Sequence, residues 1–209
     1  MQIIELNPEG LASQSDLDDA CAILQAGGII GYPTDTLYGL GVDGTSSPAV
    51  EKLYLLKQRA QVPMSIMLDS VNSLLEALEN PTPTIEKLIR TFLPGQITIV
   101  GKCKLELADG VISHKGLTGM RVPDHPLNLA LVKTFGKPIT STSANLCGYP
   151  SALNIETIIA YFSDRIDLIF DQRTFLHSSG STVIDVSQEP FKILREGAIT
   201  AEQLSNFLS

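Results

Sequence analysis

The sequence predicts an α/β fold built on a mixed sheet. Three observations carry that prediction. Short apolar runs rich in β-branched residues alternate with capped stretches of helical periodicity along the chain. The runs "STVIDVS" and "FKILRE" follow one another with no helix between them, so a uniform βαβ series is excluded. The 209 residues, 44% of them hydrophobic, suffice for one substantial core, and no repeat or low-complexity tract interrupts them. A single domain over residues 1–209 is expected.

Each element has its own signal. Residues 15–26 predict a helix: Ser15 or Asp16 can cap it, and Leu17, Ala20, Ile23 and Leu24 recur at helical spacing. Gly27 and Gly28 end it, and "IIGY" follows as a buried strand. A serine cap and Pro48 in the first turn open a second helix over about 48–57. "MSIMLD" predicts a strand, "VNSLLEAL" a helix, and "TPTIEKLIRTF" a capped helix stopped by Pro94 and Gly95. "QITIVGKC" is β-branched and predicts a strand. Beyond it lie a short strand at "GMRV", a helix at about 126–135 and a strand at 138–142. "NIETIIAYF" predicts a helix, "IDLIFD" a strand, "STVIDVS" with "FKILRE" a strand pair, and "TAEQLSNFLS" a closing helix.

Composition excludes several function classes. The net charge of −8 argues against a whole-protein grip on nucleic acid, while a local basic groove remains open. Cys21, Cys103 and Cys147 lie far apart without a CxxC pair, which predicts neither a disulfide framework nor a zinc site. The N-terminus lacks the pattern of a secretory signal, and no run of about 18 apolar residues predicts a membrane span. A cytoplasmic protein without membrane partners is expected.

Five polar clusters stand at predicted strand or helix ends. In "YPTDTLYGLG", Thr34 and Thr36 point one way in extended chain and Asp35 the other, while Gly39 and Gly41 permit positive φ and close backbone approach. Such a mouth can hold a ligand, or it can be a turn that satisfies its own backbone. In "KQR", Lys57 ends a helix and Arg59 can swing onto the loop, so two cations can converge on a polyphosphate; helix-dipole placement is the alternative. "TSTSAN" brings Ser141, Ser143 and Asn145 to a strand end, with Ser151 close behind. Arg121 in "GMRVPDHP" and Arg195 in "ILREGAI", with Ser181 near it, can take a carboxylate or phosphate, or form surface ion pairs. No GxxxxGK[ST], GxSxG or HExxH occurs, so that phosphate loop and the local nucleophile and zinc motifs are absent.

Taken in order, "YPTDTLYGLG", "KQR", "GMRVPDHP", "STSAN" with "GYPS", "STVIDV" and "ILREGAI" resemble the YrdC-like (TsaC/YrdC/YciO) family over about residues 15–200. The resemblance implies a twisted open sheet with flanking helices around a large concave groove. It implies an L-threonylcarbamoyladenylate synthase, a nucleotidyltransferase that joins L-threonine, bicarbonate and ATP, with Mg²⁺, for t6A modification of tRNA at position 37. Lys57, Arg59, Ser143 and Asn145 would carry the catalytic site around the ATP phosphates, with Ser151 and Arg195 completing the nucleotide site. Thr34, Arg121, Ser141 and Ser181 would bind L-threonine, and no metal-ligating residue is implied. The implied partners are the three substrates, the tRNA threonylcarbamoyl transferase machinery, and tRNA or double-stranded RNA. The chain departs from the family in two places: Ala60 stands where a proline follows KxR, and no His appears in "PMSIMLD". Two alternatives therefore stay open: a YciO-like paralogue with another substrate, and an RNA-binding module using the groove. The C-terminal extension of longer relatives is not expected.

Overall fold

A computed structural model describes residues 1–58, 62–172 and 179–208. The strands are β1 (Gln2–Glu5), β2 (Ile30–Tyr32), β3 (Gly39–Gly41), β4 (Ser65–Met67), β5 (Ile97–Lys102), β6 (Leu117–Arg121), β7 (Ile139–Ser143), β8 (Leu168–Asp171), β9 (Thr182–Asp185) and β10 (Lys192–Arg195). The helices are α1 (Gln14–Gln25), α2 (Ser47–Lys57), α3 (Val71–Ala77), α4 (Pro83–Phe92), α5 (Pro126–Phe135), α6 (Ile155–Phe162) and α7 (Ala201–Leu208). The strands form one sheet in the order β1-β8-β2-β3-β7-β4-β6-β5-β9-β10. Parallel pairs (β1/β8, β2/β8, β4/β6, β5/β9) and antiparallel pairs intermix, as the sequence predicts.

Two apolar clusters cover the two faces of this sheet. On adjacent positions the side chains alternate between them: Ile29 and Ile30, Ile66 and Met67, Leu168 and Ile169 fall in opposite clusters. One cluster takes Leu17, Ala20, Cys21 and Leu24 of α1 together with Leu127 and Leu131 of α5. The other takes Leu53 of α2, Leu74 of α3, Leu88 of α4 and Ile158 of α6. Burial on both faces explains why these strands read as near-continuous apolar runs rather than clean alternations.

Local details correct the sequence reading in several places. The cap of α1 is Ser13, not Ser15 or Asp16; its hydroxyl accepts the Asp16 amide while the Asp16 carboxylate reaches back to the Ser13 amide. Ser46 stands at the N-cap of α2 without a side-chain bond, and Pro48 in the first turn carries that start alone. Two strands, β1 and β3, were not expected. Gly39 and Gly41 lie inside β3 and serve close approach rather than positive φ: a Cβ would come within 2.9 Å of Tyr32 Cε2 at Gly39, and within 2.7 Å of both Ile139 Cγ2 and Tyr32 Cε1 at Gly41. Tyr32 itself is fully buried, and its hydroxyl donates to the Thr140 carbonyl at 2.7 Å.

His125 stands at the N-cap of α5, buried, with Nε2 2.6 Å from Gln172 Oε1. Burial pushes its pKa below the ordinary 6.5, against smaller upward pulls from the Gln172 bond and from Asp35 and Asp124. The folded protein therefore resists charging this ring, and the unfolded chain binds the proton more readily.

Gly41→Ala should lose about 1–3 kcal/mol of stability through overpacking, read from the urea midpoint. The His125 contribution to stability should be complete above the unfolded His value of 6.5 and be lost as pH drops below it toward the folded value; His125→Gln should flatten that part of the profile in pH-dependent melting.

Candidate functional site

A cavity of about 510 Å³ opens along the strand ends. Its wall comes from β4, β5, β6, β7, β9 and β10 and from the turn joining β2 to β3. The period-two rule selects which side chains face it. On β5, Thr98 and Val100 face the cavity while Ile97 and Ile99 enter the core; on β9, Val183 and Asp185 face it while Ile184 is buried. On β7, Ser141 lies opposite Ser65 of β4, and Ser143 opposite Gly39 of β3, so hydroxyls gather where the two halves of the sheet meet. Gly119 makes room for Ser65: a Cβ there would come within 2.4 Å of Ser65 Oγ.

The β2–β3 turn satisfies its own backbone and also lines the cavity. Thr34 and Thr36 line the cavity with their hydroxyls 3.0 Å apart, and Asp35 points away from it. Thr34 Oγ1 donates to the Leu37 carbonyl at 2.7 Å and accepts the amides of Thr36 and Leu37. Its hydrogen is thus committed to its own turn. Thr36, which sequence reasoning did not single out as a binding residue, has no such backbone bond from its hydroxyl among the described residues and faces the same space.

Arg121 ends β6 on the cavity wall and is buried. Its Nη2 donates to Asp35 Oδ1 at 2.5 Å, with both side chains only 7% exposed. Arg195 also lines the cavity, from an irregular stretch of β10 where the register shifts between Ile193 and Arg195. Its Nε and Nη2 donate to the Ser181 carbonyl, and Nη2 also to Ser181 Oγ at 3.1 Å. Ser181 Oγ lies 2.9 Å from Thr98 Oγ1. A line of polar contacts thus runs from β10 through Ser181 to β5 along the wall.

Lys57 and Asn145 stand behind the wall rather than on it. Lys57 is the last residue of α2 and is buried. Its ammonium donates to the carbonyls of Ser143 and Asn145 and to Asn145 Oδ1. Asn145 in turn accepts Ser143 Oγ at 2.6 Å and donates to the carbonyls of Leu146 and Tyr149. The cation and the amide therefore fix the turn that presents Ser143, and Ser151 joins the cavity beyond it. Of the residues named from sequence, Thr34, Arg121, Ser141, Ser143, Ser151, Ser181 and Arg195 face one cavity; Arg59, with Ala60, lies outside the described residues. Asp35 and Thr98 were missed as site partners, although the alternation in "ITIV" marks Thr98 as facing away from its apolar neighbours.

The chemistry of this wall suits anions: two guanidiniums and many hydroxyls against one carboxylate, Asp185, which already accepts the Ser187 amide and hydroxyl. Among the described residues no three His, Cys, Asp or Glu side chains converge. No described helix is long and apolar enough to cross a membrane.

Comparison with known proteins agrees with this geometry. The Sua5/YciO/YrdC family model, described as "Telomere recombination", matches residues 22–197. The threonylcarbamoyl-AMP synthase of Bacillus subtilis (strain 168) is 33% identical over 204 residues, covering 96% of this chain and 59% of that protein. The Homo sapiens threonylcarbamoyl-AMP synthase is 33% identical over 202 residues, covering 91% of this chain and 70% of that one. Among solved structures, P. abyssi Sua5 complexed with L-threonine has a TM-score of 0.91 at 26% identity, covering 100% of this chain and 61% of that chain. E. coli YciO has a TM-score of 0.85 at 27% identity, covering 94% and 96% respectively. The chain thus spans about three fifths of the B. subtilis and P. abyssi proteins and nearly all of E. coli YciO. With the sheet, the hydroxyl-lined cavity and the ordered motifs all in agreement, the chain belongs to the Sua5/YciO/YrdC family.

Proposed function

We propose that this chain makes threonylcarbamoyl-AMP and pyrophosphate from L-threonine, bicarbonate and ATP, a nucleotidyl transfer that supplies t6A modification of tRNA position 37. The observation that carries the reading is that two guanidiniums and a series of hydroxyls from separated strands face one cavity large enough for a small amino acid beside a nucleotide. The likeness to P. abyssi Sua5, whose structure is complexed with L-threonine, and to the B. subtilis synthase supports it.

In this reading Arg121 takes the amino-acid carboxylate, with Ser141, Ser181 and the Thr34 turn around it. Arg195, Ser143 and Ser151 take the nucleotide phosphates, joined by Arg59. Lys57 and Asn145 act from beneath by holding the Ser143 turn. Bicarbonate yields CO2 and hydroxide; the amino acid's neutral amine attacks the CO2 carbon, a C=O π pair moves to oxygen, and the amine's proton leaves with the hydroxide as water. A carbamate oxygen then attacks the α-phosphorus, and pyrophosphate leaves with the bond electrons. The protein contributes orientation of three substrates and donors aimed at the phosphate oxygens where charge grows. Among the described residues the wall offers one carboxylate, so Mg²⁺, if used, would be held by the ATP phosphates and would supply charge neutralisation there. The product would pass to the transferase that modifies tRNA, in the cytoplasm.

A second reading keeps adenylate-forming chemistry but changes the acceptor. It is favoured by β4, which offers Ser65 to the cavity and buries Met67 without presenting a His, and by the end-to-end likeness to E. coli YciO.

Pure protein incubated with ATP, bicarbonate and radiolabelled L-threonine should release pyrophosphate and form threonylcarbamoyl-AMP. ATP binding with no product from L-threonine, but product from another L-amino acid, would favour the second reading; tight, salt-sensitive RNA binding without turnover would favour an RNA-binding module. Ser143→Ala should cut turnover at least about tenfold with an unchanged melting temperature. Lys57→Ala should cut it similarly and also lower the melting temperature, because buried carbonyls lose their ammonium partner.

A further inference from the structure

The loop after β2 carries a residue that does not line the cavity and yet pairs with a cation that does. Asp35 is held at three points. Its carbonyl accepts Gln96 Nε2 at 2.6 Å, its Oδ2 accepts the Asp124 amide at 3.2 Å, and its Oδ1 accepts Arg121 Nη2 at 2.5 Å. Asp35 itself does not line the cavity, whereas Arg121 does. The Arg121 Nε–H is buried and has no acceptor among the described residues. One corner of the guanidinium is therefore fixed by a rigid carboxylate, while other N–H groups are left for something else.

We propose that Asp35 is a positioning residue for amino-acid recognition: it fixes the Arg121 guanidinium from behind so that its remaining donors meet the carboxylate of a small L-amino acid. The inference rests on the assignment of Arg121 to the amino-acid carboxylate. Two physical arguments support it. An arginine on a flexible stem loses rotamer freedom when it must be ordered at binding, and a pre-set guanidinium avoids that loss. A buried guanidinium without a counter-charge is unstable, and Asp35 supplies the charge without occupying ligand space. The pair also approaches the cavity as a neutral unit, which suits a singly charged carboxylate better than a polyphosphate.

The test uses calorimetric titration of the whole chain with L-threonine and, separately, with ATP. Asp35→Glu keeps the buried charges balanced, so it folds, but it lengthens the arm by one methylene and displaces the guanidinium. Its Kd for L-threonine should rise at least about tenfold while its Kd for ATP stays within about twofold. Asp35→Asn should weaken L-threonine binding in the wild-type background, but change it by less than about twofold in an Arg121→Gln background, because Asp35 acts only through that arginine. Wild-type affinity for L-threonine in Asp35→Glu would overturn the inference, and so would an equal loss of L-threonine and ATP binding. If the wild-type protein binds another L-amino acid instead of L-threonine, the substrate reading alone falls, and the same variants are measured with that amino acid. Wild-type protein that binds no L-amino acid would overturn both.

Discussion

The structure depends on how its central strand is paired. Four consecutive residues of β7, Thr140 to Ser143, carry hydroxyls, an unusual choice for the middle of a sheet. Polar side chains are tolerated there because the strand's backbone is bonded on both edges, to β3 through Thr142 and Ser143 and to β4 through Ile139, Thr140 and Ser141. Thr140, which faces away from the cavity, accepts the Val42 amide with its hydroxyl and the Tyr32 phenol with its carbonyl. With those groups satisfied, Ser141 and Ser143 can stand open to solvent-sized space without the strand giving way. The same strand joins the two halves of the sheet, so every other wall residue takes its position relative to it.

Charge is handled in the same manner. The protein is acidic overall, and it sets two arginines on one cavity wall with a buried lysine behind it. Each is tied to protein oxygen: Arg121 to a carboxylate, Arg195 to a serine carbonyl and hydroxyl, Lys57 to two carbonyls and an amide oxygen. An unpartnered buried cation would be costly, and a fully neutralised one would repel no rival ligand and attract none. Only the two arginines face the cavity, one paired with a carboxylate and the other with neutral oxygens, so they leave different residual charge for a ligand.

The sequence was informative wherever a signal is local. Helices announced by a cap and helical spacing appear within a residue or two of their expected bounds, as do the strands built from β-branched runs. β3 escaped notice because "GLG" has no strand propensity; it is a strand only because its missing side chains let it pass the Tyr32 ring. β1 is a short run whose parallel partner, β8, lies at the far end of the chain. The cap of α1 was readable in the Ser13–Asp16 spacing and was misassigned to nearer candidates.

Residue chemistry, the alternation of apolar elements and the order of the polar clusters were settled by the sequence itself, since each depends on neighbours a few positions apart. Which clusters meet was not. Asp35 and Arg121 are 86 positions apart, as are Lys57 and Ser143, and nothing in either local pattern names its partner. Strand order and register decide those meetings: parallel and antiparallel pairings place distant strand ends on one rim, and burial then requires each charge there to find an oxygen. Through that requirement, three-dimensional packing turned Lys57 from an exposed helix-end cation into the support beneath Ser143, and Asp35 from a turn residue into the anchor of Arg121.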